Sequence, residues 1–364
     1  MIEIQGKFNT AIIYADAIEP SARGQIETLC SQPFTEGSRI RIMPDVHAGK
    51  GATIGTTMTL TNKAVPNLVG VDIGRGMLCI NLKDKRVDLP HLDKVIHEHI
   101  PAGMNIRGKA HRFAMDAGIG DLACARHVQK DRALLSIGTL GGGNHFIEID
   151  KDDEGALYLI IHSGSRHLGV EVAGYYQKIA GEAKPANVPF ELAYVEGQAY
   201  QDYLHDMKLC AESAVLNRRA IADKILKAMK LKAESEFTTI HNYIDVENSI
   251  LRKGSVSAQN GERLLIPLNM RDGSLICTGK GNAEWNFSAP HGAGRLLSRT
   301  QAKESITLSA FKESMKGVFS TSITKGTIDE SPQAYKPARD IIAAVSDTVT
   351  INAVIKPVYN FKAG

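Results

Sequence analysis

Six of the twelve histidines stand where imidazole chemistry can be concentrated: His47, His145, His162, His167, His241 and His291. All but His241 lie within glycine-rich turns, and several of those turns abut β-like segments. Imidazole can act near neutral pH as ligand, base or nucleophile. Converging with Asp45 and Asp72, such a set suits Mn²⁺ or Zn²⁺. Glycine after a strand lets backbone approach a ligand closely, and exposed amides there suit phosphate. The other six, His91, His97, His99, His111, His127 and His205, fall in charged or helix-like context and read as surface or hydrogen-bonded helix residues.

The elements that must position these groups are short. Runs at 39–43, 146–149 and 157–161 read as strands. Residues 88–100 read as a helix, and 191–230 as a longer one with apolar residues at helical spacing. That second stretch is long for one uncapped globular helix, so a break near Asn217 is expected. Residues 182–189 read as a loop without a change of composition on either side. With no repeat and no domain boundary in view, the expectation is a single mixed α+β domain over 1–364.

Composition allows a sizeable core, with 43% hydrophobic and 23% charged residues. The balance of 43 Lys and Arg against 40 Asp and Glu leaves room for a local basic groove without demanding one. Five scattered cysteines with no C-x-x-C pair argue against a disulfide framework or a zinc knuckle. Neither a signal-peptide layout nor a membrane-length apolar run is present, so a soluble cytoplasmic protein with no membrane partner is expected.

The informative segments, in chain order, are Met-Pro-Asp-Val-His-Ala-Gly-Lys-Gly at 43–51 and Val-Gly-Val-Asp-Ile-Gly-Arg-Gly-Met at 69–77. Gly-Gly-Gly-Asn-His-Phe-Ile-Glu at 141–148 and Ile-His-Ser-Gly-Ser-Arg-His-Leu-Gly at 161–169 follow. His241-Asn242 and Pro-His-Gly-Ala-Gly-Arg at 290–295 complete the set. Each motif alone is weakly specific. Six in this order resemble the RtcB family of RNA-splicing and repair ligases, from the strand at 39–43 to the segment at 358–364.

The resemblance implies an RtcB-like fold and a GTP- and Mn²⁺-dependent ligase. Its substrates would be RNA 3′-phosphate or 2′,3′-cyclic phosphate ends and 5′-hydroxyl ends, joined through a covalent histidine–GMP and an activated RNA 3′-guanylate. Members of the family can work with the small activating protein archease. By resemblance His291 is the guanylylated nucleophile, Asp45 the carboxylate that orients it, and Arg295 and Arg166 are phosphate-gripping arginines. Asn144, His145, Phe146, Glu148, His241, Asn242, Ala289, Pro290, Gly292 and Lys362 correspond to the guanylate site. Asp72, His145, His162 and His241 correspond to metal ligands.

One position departs from the family pattern. Where the family carries a metal-bridging cysteine, in Asp-Ile-Gly-Cys-Gly-Met, this chain has Arg75. Arginine stays protonated and has no acceptor, so it cannot ligate a cation. Two cations need a bridging anion to offset a repulsion of roughly 4 kcal/mol per pair of unit charges at about 4 Å and an effective dielectric near 20. The substitution argues against a dinuclear site and, of one or two ions, favours one. Three roles for Arg75 remain open. It clamps phosphate in place of a metal, or it pairs with Asp72 and weakens the site, or it points away while His167 or Cys79 supplies a replacement ligand. Correspondingly, ligation competes with two alternatives: an end-capping enzyme or cyclic phosphodiesterase that does not seal, and an inactive protein that only binds broken RNA ends.

Overall fold

Several strands of this chain lack polar–apolar alternation because they are covered on both faces. Every residue of Leu157–Ser163 is buried, as are all but the last of Ile250–Ser257. Runs of this kind belong to the interior of a layered structure. The computed structural model describes residues 1–363, so Gly364 of the 358–364 segment lies outside the described residues.

Fifteen strands occur among the described residues: β1 (Ile2–Gln5), β2 (Thr10–Ile13), β3 (Ile40–His47), β4 (Ile54–Thr59), β5 (Lys63–Ala64), β6 (Gly76–Leu82), β7 (Phe146–Lys151), β8 (Leu157–Ser163), β9 (Val195–Glu196), β10 (Ala233–Asp245), β11 (Ile250–Ser257), β12 (Arg263–Asn269), β13 (Gly273–Gly279), β14 (Ser288–Pro290) and β15 (Val349–Lys362). Thirteen form one sheet in the order β1-β2-β3-β4-β11-β10-β6-β8-β7-β15-β13-β12, with β14 also paired to β11. Only β2 and β3 run parallel within it. The expected strands at 39–43, 146–149 and 157–161 are the starts or bodies of β3, β7 and β8. The fold is a single mixed α/β arrangement around one large sheet, as expected.

Two long strands change partners part-way. β10 pairs with β6 up to Ile240 and with β11 from His241, across an irregularity between His241 and Tyr243. Asn242 sits there with φ +68°, a bulge-like turn that aims His241 inward. β15 pairs with β13 through Ile355 and with β7 from Lys356.

The helices that support the site are α1 (Pro20–Cys30), α2 (Pro66–Val69), α3 (Leu89–His99), α4 (Lys130–Ser136), α5 (Arg166–Ala183) and α6 (Gly197–Met229). Asp88 caps α3 by accepting from the amide of His91, close to the expected 88–100 helix. The stretch at 191–230 differs from expectation. It opens with a 3₁₀ turn and the short strand β9, and α6 then runs for 33 residues without a break.

Asn217, the expected break point, is instead fully buried at the middle of α6. Its side chain accepts from the amides of Gly138 and Thr139 and donates to Ser163 Oγ and the Gly164 carbonyl. Helical continuity there is maintained by tertiary hydrogen bonds that local propensity does not register. α6 packs against α5 and against β6, β8 and β10, and contributes to two of the apolar clusters that flank the sheet.

Candidate active site

Asp45 near the end of β3 and His291 just after β14 are 246 residues apart in sequence, yet His291 Nδ1 lies 2.7 Å from Asp45 Oδ2. The Asp45 carboxylate is wholly buried while the imidazole keeps one edge open. A carboxylate can only accept, so the proton sits on Nδ1 and Nε2 carries the free lone pair. Gly294, at φ +76°, permits this pairing, because a side chain there would strike the Asp45 backbone. The His291 ring faces His241, with centroids 4.7 Å apart.

Around His291 is a cavity lined on one side by His47, Asn242 and Gly292, and on the other by Asn144, Phe146 and Glu148. Lys362, from the end of β15, also lines it, with its ammonium 2.8 Å from Glu330 Oε2 and over the Phe146 ring. Asn360 Nδ2 donates to Glu148. Burial pushes the Glu148 carboxyl up to about 7, against the pull of Asn360 and Lys362. His47 donates through Nδ1 to the Asp45 carbonyl.

The expected metal ligands fall in two pairs, His162 and His241 on this cavity and Asp72 and His145 on a second one. His145 Nε2 is 3.1 Å from Asp72 Oδ2, and His162 Nε2 is 3.2 Å from His241 Nε2. Gly164 makes room for the Asp72 carboxylate, which a side chain would displace. Burial lowers the pKa of all three histidines, assisted at His162 by the Arg75 charge, so each imidazole is held neutral near pH 7.

Arg75 stands between the pairs. Its Nε is 3.3 Å from His162 Nε2 and 3.5 Å from Asp72 Oδ2, and its Nη2 donates to Asn144 Oδ1. Among the described residues no three His, Cys, Asp or Glu side chains are grouped so as to hold a metal ion. The residues as placed do not fit the expected Mn²⁺, because each pair offers two ligands and a divalent ion between them would lie against the guanidinium. Of the three roles open to Arg75, the pairing with Asp72 is present. The replacement-ligand role is not: His167 faces Glu171 at 3.5 Å, and Cys79 is buried in an apolar cluster.

Other expected site residues are engaged with the protein itself. Arg295 spends its donors on Leu297, Glu330, Tyr335 and Asp329, bracing the cavity wall. Arg166, with φ +58°, donates to Thr139 and the Gly103 carbonyl. It lines the second cavity with His167 and Arg132 on the far side of Arg75 and Asn144. Ala289 and Pro290 are buried in β14 and only carry the backbone up to His291.

The cavity also contains residues that sequence reasoning missed, above all Glu330 and Tyr335, which bond to each other at 2.7 Å. Arg299 pairs with Asp329 at 2.6 Å and Glu330 at 3.2 Å. Residues 327–330 carry no glycine-rich or histidine signature. Their only signal is two adjacent acids beside an isoleucine, which reads as an ordinary turn.

A family profile described as tRNA-splicing ligase RtcB matches residues 25–363. The chain belongs to the RtcB family. Among its relatives is the RNA-splicing ligase RtcB of Escherichia coli strain K12, 33% identical with 94% of each chain covered. The tRNA-splicing ligase RtcB of Aeropyrum pernix is 28% identical over 95% of this chain and 92% of its own. The RNA-splicing ligase RtcB2 of Escherichia coli ATCC 25922 is 26% identical over 95% and 93%. The RtcB relationship therefore spans both halves of the sheet and every segment that builds the cavity.

Proposed function

We propose that this RtcB-family chain is an RNA ligase that activates a 3′-phosphate end with GTP through a covalent guanylate on His291. The observation that carries the reading is the 2.7 Å pairing of His291 Nδ1 with buried Asp45, which leaves Nε2 as the nucleophilic nitrogen in the cavity. In the first step Nε2 attacks the α-phosphorus of GTP. A P–N bond forms, the bond to the β-phosphate oxygen breaks, and pyrophosphate leaves.

An oxygen of the RNA 3′-phosphate then attacks the same phosphorus, the P–N bond breaks, and His291 is restored. The 5′-hydroxyl of the second RNA attacks the activated 3′-phosphoryl group, loses its proton to solvent, and displaces GMP. Asp45 holds the imidazole in the attacking tautomer and stabilises the positive charge that develops on it. Glu148, held from behind by Asn360, offers a polar edge able to read a purine, and Lys362 with Phe146 closes the cavity. Among the described residues no helix is long and apolar enough to cross a membrane, and the five buried free thiols suit the reducing cytoplasm.

Incubation with GTP labelled at the α-phosphate, followed by denaturation, tests the reading. Acid-labile label on the wild-type chain and none on His291→Ala is the expected result. An unlabelled wild type, with or without divalent metal, would sink it.

A further inference from the structure

Four side chains of metal-binding type surround Arg75. His145 Nδ1 lies 2.8 Å from the Leu140 carbonyl and His162 Nδ1 lies 3.2 Å from the Asn144 carbonyl. A carbonyl oxygen only accepts, so the His162 proton is on Nδ1 and its neutral ring turns a bare Nε2 inward. His145 has an acceptor at each nitrogen, since its Nε2 is hydrogen-bonded to the Asp72 carboxylate at 3.1 Å. His162 Nε2 faces the Nε–H of Arg75 at 3.3 Å, and the same Nε is 3.5 Å from Asp72 Oδ2. The cluster is thus acceptor-rich, with Arg75 as the cation within it.

Arg75 lines both cavities, the one that holds His291 and the one that holds Arg166. Its Nε is committed to His162 and Asp72 and its Nη2 to Asn144, while among the described residues nothing accepts from Nη1. A guanidinium anchored on one edge with free N–H groups on the other is built to receive a phosphate oxygen.

We propose that Arg75 is the built-in cation of this site, standing between the two ligand pairs, and that it grips phosphoryl oxygens so that the chain takes its substrate without a resident metal. The identity of that phosphate as nucleotide or RNA end rests on the guanylate reading above. The electrostatic part does not, because any polyphosphate anion presents the same oxygens.

The test uses the full chain and inorganic pyrophosphate. Metal is counted by mass spectrometry after incubation with Mn²⁺, Zn²⁺ or Co²⁺ and gel filtration. Pyrophosphate binding is measured by calorimetry in chelator. The wild type should carry substoichiometric metal and bind pyrophosphate in chelator, and Arg75→Ala should lose roughly tenfold or more in affinity, as for a lost charge-assisted hydrogen bond. Arg75→Cys should gain bound metal, and that gain should vanish when His162→Ala is added.

Stoichiometric metal on the wild type that is lost in His145→Ala or His162→Ala would overturn the proposal. So would pyrophosphate binding that requires Mn²⁺ and ignores Arg75→Ala. The wild-type count decides even if a variant fails to fold. A chain that shows the expected counts and pyrophosphate binding but takes no label from GTP would remove the guanylate reading and leave Arg75's role standing.

Discussion

His291 and Asp45 form a buried-carboxylate and imidazole pair in which the carboxylate fixes which ring nitrogen is free, with Nδ1 and Oδ2 2.7 Å apart. The second carboxylate oxygen, Oδ1, is buried with no hydrogen-bond partner among the described residues, so the pairing with His291 is the only bond offsetting burial of that group. Asp45→Asn keeps the shape and offers an amide that can donate as well as accept, which releases the tautomer. Label transfer from GTP should fall by about a hundredfold or more, the range typical of misplaced acid–base partners. The thermal midpoint of the folded chain, measured in parallel, should change little.

Glu148 and Asp150 sit two residues apart on β7, both buried. Burial, and for Asp150 the adjacent Glu148 charge, raises both carboxyls, Glu148 to about 7. A carboxyl whose folded pKa is raised contributes stability that is full below its unfolded value and is lost as pH rises through the folded value. Urea denaturation should therefore show stability declining from about pH 5 to about pH 8. Asp150→Asn should flatten that decline, and an unchanged slope would mean that these acids are not the cause.

Lys362 and Glu330 form an ion pair with both partners nearly inaccessible. Burial works against the Glu330 charge, but Lys362 and Arg299 outweigh it and hold the carboxyl at about 2. Lys362→Met removes the closest of the cations on that carboxylate, leaves Arg299 and Arg295 in place, and should cost about 1–3 kcal/mol. Adding Glu330→Gln should restore much of the loss, and a double-mutant cycle by chemical denaturation measures the coupling.

Asn217→Ala removes four hydrogen bonds at the centre of α6 and leaves the Gly138 and Thr139 amides without partners. The expected cost is roughly 3 kcal/mol or more, given about 1–3 kcal/mol for each buried group left unsatisfied. Hydrogen exchange at residues 138 and 139 should rise with it. Helical content by circular dichroism should stay close to wild type, since α6 is held along its whole length.

The parts of the site that were legible in the sequence are those with local signatures. Histidines in glycine-rich turns after strands can be read in windows of a few residues, and they led to His145, His162 and His291. The Asp45–His291 pair became visible only through family resemblance, because nothing local links residues 246 apart. Glu330 and Tyr335 escaped because a buried acid and a phenol on an irregular turn leave no periodic trace. The break expected at Asn217 failed for a related reason: an asparagine that weakens an isolated helix can stabilise one through partners on other elements.

β15 joins the two halves of the sheet, pairing with β13 first and with β7 afterwards, and at its far end it carries Lys362 into the cavity and Asn360 behind Glu148. This makes the order of synthesis matter. A chain still emerging from the ribosome short of residue 349 already possesses His291, Asp45 and Arg75, but its β12–β13 hairpin has no strand to dock on and Glu330 has no lysine. The same holds for a fragment cut ahead of β15. His291 is therefore in place before the cavity around it is complete, and partial chains do not present the finished cavity.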